Sequence, residues 1–388
     1  MCLFTELTAL SKDAEFTSTS IYRVPEKSRK ENEAAYTPQL VSIGPFHRER
    51  GQLQGMESYK LRCLRNFCNR FSINLPDLVR FLLLKNHFPR LRGESDVIFR
   101  NPWMWSDLLH DMLLLENQLP TDVPNGLLDF VQDPSLLNGI TFFDLDYDFF
   151  NDVGNTEKLP LTELSYLARH FVEFLLIHHS PTERSIRPMN FVCTRSATEL
   201  QRAGVKFRAK GSCLFDVDFT EVELTLPSFI VNDSTETFFW NLIAFEHCEY
   251  SSKDITSYVI FKDNLLNTHN NVDLLVKHGI IENKLGKSKA VAKLFNNLYK
   301  EVVTEADMAL KSTYTWQADD FYFAKLCEKL NAYSSDQFHE FKSKWFRWRE
   351  IAKRDYFSTP WSFISLLAAT VLLILTVIQT LCSILQVK

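Results

Sequence analysis

The feature that most constrains this chain is its C-terminal end, where residues 356–387 carry no charged side chain. Within them, Trp361 to Leu385 is long and apolar enough to cross a bilayer, for which about 20 apolar residues suffice. The alternative for an apolar helix is burial in a soluble core, where a polar face is expected somewhere. Phe363 to Ile378 is broken only by Ser365, Thr370 and Thr376, whose hydroxyls can bond back to their own helix. The expectation is one transmembrane helix over 361–385, started afresh by Thr359 as N-cap and Pro360 in the first turn. Lys342, Lys344, Arg347, Arg349, Lys353 and Arg354 precede the run and Lys388 alone follows it. The positive-inside rule then predicts a cytosolic N-terminal domain, and the short tail after Leu385 predicts a tail-anchored, single-pass protein of the secretory pathway or plasma membrane.

Ahead of that run, Phe338, Phe341, Trp345, Trp348 and Ala352 recur at spacings of three and four. This pattern predicts an amphipathic helix over 336–357. Its six basic residues and Trp361 suit an anionic membrane surface; the competing reading packs the aromatic stripe on the main domain.

The rest of the chain reads as mainly α. Residues 1–20 are polar and aperiodic, an expected loose arm. A helical globular domain is expected over 21–335. Its first part, to Leu53, holds Pro25, Pro38, Gly44, Pro45 and Gly51, too many breakers for a long helix, and is expected to lie extended over the domain. Helical periodicity starts at Met56 and recurs at 77–87, 103–117, 126–131 and 161–178. Between Val205 and Val231 apolar and polar residues alternate, which predicts a small antiparallel β meander. Helical signals resume at 236–248, 254–267, 272–278 with Gly279 as C-cap, 287–303 and 315–332. With 32 Phe against 11 Gly and a net charge of only -5, the composition suits a packed interior and offers no basic excess for nucleic acid.

The motifs of known chemistry are incomplete. Leu285-Gly286-Lys287-Ser288 ends like a phosphate-binding loop, yet Ile281 stands where the first glycine is required. Asp144, Asp146, Asp148 and Asp152 follow a calcium loop's spacing, yet Phe149 and Asn155 stand at its glycine and closing-glutamate positions. His170, His178 and His179 lack a Cys or carboxylate at zinc spacing. The eight cysteines form no CxxC pair. No cofactor, metal or small-molecule substrate is expected. The polar cluster singled out is Asp111 with Glu116, Asn117 and Gln118 before Pro120. Buried carboxylates need partners, so Glu116, Asn117 and Gln118 are expected to satisfy backbone groups of neighbouring loops, a ligand or partner site being the alternative.

Four blocks carry a family resemblance: Ile21 to Pro25; Tyr36-Thr37-Pro38 with Ile43-Gly44-Pro45-Phe46-His47; Asp111 with Leu114 to Pro120; and Ala203 to Phe207 with Asn241 to Glu246. Pro360-Trp361 leading into the apolar run adds to them. In this order and over nearly the whole chain they resemble the plant domain of unknown function 247 family. Phe46 stands where many members have Tyr, and the chain is short for the family. The resemblance implies a land-plant membrane protein without established catalysis, some members being implicated in grass self-incompatibility and in suppression of female organs in a dioecious species.

Two functions are expected on this basis. One is a membrane-anchored, non-enzymatic recognition or regulatory protein that binds another protein, in reproduction if the family's roles carry over. For it Gly44, Pro45, His47, Asp111, Glu116, Asn117 and Gln118 are the candidate structural or partner-binding residues. The other is an enzyme on a membrane-associated substrate that uses Asp111, Glu116 and His47 brought together by the fold.

Overall fold

The computed structural model describes residues 21–71, 101–122, 168–181, 193–249, 253–309, 321–335, 368–369, 371–376 and 378–380. In chain order its helices are α1 (Glu26–Glu31), α2 (Gln54–Phe71), α3 (Pro102–Leu113), α4 (Phe171–His179), α5 (Ala197–Arg202), α6 (Ser234–Glu249), α7 (Asp254–Leu266), α8 (His269–Lys277), α9 (Ser288–Ala309) and α10 (Ala324–Ser335). The strands are β1 (Lys206–Ala209), β2 (Asp218–Thr220), β3 (Glu223–Leu226), β4 (Phe229–Val231) and β5 (Ile281–Asn283).

Helix α6 organises the interior because it is apolar on every side. Every residue from Thr235 to Glu246 is buried except the half-exposed Glu236, so the helix can be satisfied only if other elements surround it. They are α3, α4, α7, α9 and the turn at Glu33–Tyr36. Helix α7 is buried in the same way, with Asn264 alone half-exposed. Helix α9 instead lies at the surface. Val291, Leu294, Phe295, Leu298 and Val302 face inward, while Lys289, Lys293 and Lys300 face water, the apolar stripe of an amphipathic helix. Aromatic rings fill the space between: Phe239 lies 5.8 Å from Tyr258, and Phe261 stacks on Phe323 at 4.6 Å, distances at which ring pairs attract beyond their area.

The first part of the domain is wrapped rather than stacked. From Tyr22 to Leu53 the chain forms only α1 and short 3-10 turns, as its prolines and glycines require. Tyr22, Val24, Ala35, Tyr36, Leu40 and Val41 are buried against the helices. The ring of Tyr22 meets Phe245 of α6 edge-on at 5.1 Å.

The expected antiparallel meander becomes two small sheets containing parallel pairs. Strand β3 is central, with β1 parallel on one side and β2 antiparallel on the other. Strand β4 pairs in parallel with the distant β5. Alternating burial along 205–231 was legible; pairing partners depend on where the 210–217 loop and the returning β5 carry the chain.

The C-terminal transmembrane helix is corrected. Among the described residues no helix is long and apolar enough to cross a membrane. Of the stretch 361–385 the structure describes residues 368–369, 371–376 and 378–380, all helical. The single-pass C-terminal anchor assigned to 361–385 falls with it, as do the tail-anchored topology and the cytosolic orientation built on it. The amphipathic helix at 336–357, with Lys342, Lys344, Arg347, Arg349, Lys353 and Arg354, lies outside the described residues. So do Trp361, the arm at 1–20, the helices at 77–87 and 126–131, and the loop from Asp144 to Asn155.

Candidate functional site

Helix α3 ends at Leu113 because Leu114 turns extended, at φ -74 and ψ 124, and Leu115–Asn117 then forms a 3-10 turn. The break aims four neighbouring polar side chains in different directions, and each meets the backbone of another segment. Asp111, in the last turn, accepts the N–H groups of Gln39, Leu40 and Val41 at 2.7, 2.7 and 2.6 Å. Asn117 accepts from the N–H groups of Ile43 at 2.7 Å and Gly44 at 3.1 Å, and donates to the carbonyls of Val41 and Asp111, each at 3.0 Å. Gln118 donates to the carbonyls of Met112 and Leu114, both at 2.8 Å, and accepts from the N–H of Val172 on α4. A single short turn thereby supplies the hydrogen bonds that an extended segment cannot make for itself.

Glu116 holds the other end of the wrapped segment. It accepts the N–H of Val24 at 2.8 Å and pairs with the Arg29 guanidinium, while Nε2 of His47 lies 3.4 Å from its Oε2. Burial alone would raise this carboxyl, but His47, Arg29 and the Val24 N–H overcome it and hold the pKa at about 2. Gly44 and Pro45 set the position of His47: Pro45 opens the 3-10 turn that ends on the histidine. Gly44 itself passes so close to the hub that an added Cβ would sit 2.9 Å from the Gln118 carbonyl and 3.1 Å from that of Glu116.

All seven candidate residues Gly44, Pro45, His47, Asp111, Glu116, Asn117 and Gln118 thus meet at one clasp between α3 and the wrapped segment. For acid and base work the arrangement is divided. His47 and Glu116 face each other, whereas both carboxylate oxygens of Asp111 are turned to the backbone of 39–41, with Nδ1 of the neighbouring His110 3.1 Å from its Oδ1. Among the described residues no group of three His, Cys, Asp or Glu is placed to hold a metal ion. His170, named for a possible zinc set, instead accepts the Glu173 N–H through Nδ1 at the start of α4.

Three participants carried weaker signals. Asn241 extends the clasp into α6, accepting the Leu115 N–H at 2.8 Å and donating to the carbonyls of Ala35 and Thr237. Its mark in the sequence is an amide inside the apolar run Phe238 to Phe245. Glu246, one turn on, accepts the N–H groups of Ile255 and Thr256 and the Thr256 hydroxyl, capping α7; burial pushes its carboxyl upward while those bonds oppose the shift. Arg29 sits in an ordinary charged stretch, and nothing local distinguishes it.

A family model described as a plant protein of unknown function, domain of unknown function 247, matches residues 21–87 and 77–375. The chain is 26% identical to a UPF0481 protein of Arabidopsis thaliana over 441 aligned residues, covering 95% of this chain and 87% of that protein. A putative UPF0481 protein of the same plant is 27% identical over 150 residues, or 30% of this chain and 28% of the relative. No solved structure matches.

Proposed function

The chain belongs to the plant domain of unknown function 247 family, and we propose that it is a non-catalytic recognition or regulatory protein whose helical body binds another protein. The observation that carries this reading is the use made of the polar clasp. Asp111, Asn117, Gln118 and Asn241 spend their acceptors and donors on the backbone of 35–44, 111–115, 172 and 237. Groups so engaged brace a shape, and a braced, ligand-independent shape is what a recognition surface requires.

The test is affinity capture with the full chain. Reproductive tissue comes first, because the resemblance implies reproductive roles for some members. A partner that saturates, and whose binding is lost with the Asp111→Ala variant that loosens the clasp, is the expected result. Absence of any saturable partner in both reproductive and vegetative tissue overturns the reading. Turnover of a substrate that survives changes elsewhere but fails on Glu116→Gln and His47→Gln would favour an enzyme instead.

A further inference from the structure

Away from the clasp, the solvent face of the β1–β3–β2 sheet opens into a cavity of about 720 Å³, within the range of ligand sites. Its walls differ in sign. Strand β1 contributes Lys206 and the residue just beyond its end, Lys210, while β2, the β2–β3 turn and β3 contribute Asp218, Glu221 and Glu223. Alternation along each strand sends Lys206, Asp218 and Glu223 to the same outward face, as their neighbours Phe207, Phe219 and Leu224 are buried, and Lys210 and Glu221 line the same cavity from beyond the strand ends. Because β3 lies between β1 and β2, Lys206 on β1 and Asp218 on β2 stand on strands about 10 Å apart, two strand spacings, with Glu223 of β3 between them as the register partner of Lys206. Arg208 spans part of that gap to Glu223 at 3.3 Å. Lys206, Lys210 and Glu221 have no ion-pair partner among the described residues.

The cavity is held open by its ends. At one end the 210–217 loop is fixed by Asp216, whose Oδ2 accepts the N–H groups of Ser212 and Cys213, each at 2.8 Å. At the other, Thr220 pairs with Glu223 across a two-residue turn in which Glu221 adopts φ 56. Glycine is the low-cost residue there; the chain instead carries a carboxylate that lines the cavity.

We propose that this face is a docking site for an extended segment of a partner protein that crosses the strands and presents a carboxylate to Lys206 and Lys210 and a cationic side chain to Asp218 and Glu221. Side chains at i and i+2 of an extended chain point the same way roughly 7 Å apart, so an acidic and a basic residue at that spacing reach both rows. Two opposed rows accept such a segment in one direction and repel its reversal, which gives specificity more than raw affinity. This inference deepens the protein-binding reading and rests on it.

The probe is a short peptide repeating Asp-Thr-Lys-Val, compared with a neutral one repeating Asn-Thr-Gln-Val, titrated into the full chain. We expect the charged peptide to bind at least about tenfold more tightly, with the difference shrinking at high salt. It should also be lost in the double variant Lys206→Glu/Lys210→Glu and in Glu221→Lys, all surface changes whose folding is checked by the thermal midpoint. Equal affinity for both peptides, or affinity unmoved in both variants, overturns the proposal. The two readings fail differently. A captured partner that binds Lys206→Glu/Lys210→Glu as well as the unaltered chain removes this docking face and leaves the protein-binding reading intact. No saturable partner for the unaltered chain removes both.

Discussion

The carboxylate of Asp111 accepts the backbone N–H of Leu40 at 2.7 Å across 71 residues of sequence. With Gln39 and Val41 it terminates three N–H groups that lie in no helix or sheet. Asp111→Ala would leave these groups without this acceptor, those of Leu40 and Val41 in a buried site. The expected cost is about 3–5 kcal/mol, read as a lower denaturant midpoint. Asp111→Asn, which keeps one acceptor oxygen, should lose less. Hydrogen exchange at the amides of 39–41 localises the effect: their protection should fall before that of α6.

Gly44 supplies a steric counterpart. Its added Cβ would meet the Gln118 carbonyl at 2.9 Å and the Glu116 carbonyl at 3.1 Å, backbone atoms that cannot swing aside. Gly44→Ala should therefore destabilise by about 2–4 kcal/mol. Gly55, in α2, has nothing among the described residues within 4 Å of an added Cβ, and Gly55→Ala should be neutral or stabilising by up to about 1 kcal/mol. Equal midpoints for the two variants would refute the close approach.

Glu116 makes the clasp acid-sensitive. Its pKa falls from an ordinary 4.5 to about 2 in the folded chain. The sign follows from linkage: a depressed carboxyl stabilises the fold above its unfolded value, and that contribution is lost as pH falls from 4.5 toward 2. The amount is about 3 kcal/mol at most, less what solvent screens at the partly exposed Arg29. Glu116→Gln should lower stability at neutral pH, and its curve should converge on that of the unaltered protein toward pH 2.

Lys262 behaves in the opposite direction. It is fully buried on α7, its Nζ has no hydrogen-bond partner among the described residues, and it lies 5.4 Å from the Tyr258 ring centroid. Burial lowers its pKa to about 8. Below that value the folded chain carries a poorly solvated charge, so stability should rise as pH climbs from about 8 toward the ordinary 10.5. Lys262→Met, of similar length and without the charge, should stabilise the protein at pH 7 and flatten the alkaline rise relative to the unaltered chain. A loss of stability at pH 7 would indicate that the ammonium has a function worth its cost.

Helices α8 and α9 were legible because periodicity and end signals act locally: Gly279 at φ 71 stops α8, and Gly286 precedes the start of α9 at Ser288. The polar cluster at 111–118 was legible for a related reason. Amides and acids beside an apolar helix end must find partners, whatever the fold. Their partners were not, since a carboxylate's need for three N–H groups does not say which of the chain's many loops will supply them. Arg29 was invisible for the same reason, and the parallel pairing of β4 with β5 depends on two segments about 50 residues apart. The apolar C-terminal stretch shows the limit from the other side: hydropathy measures preference for a nonpolar surrounding, and among the described residues no helix is long and apolar enough to cross a membrane. Residue type alone determined where buried helices and a demanding polar cluster had to be. Tertiary structure decided which segments answered that demand, because hydrogen bonds and packing are satisfied between positions that only the folded chain brings together.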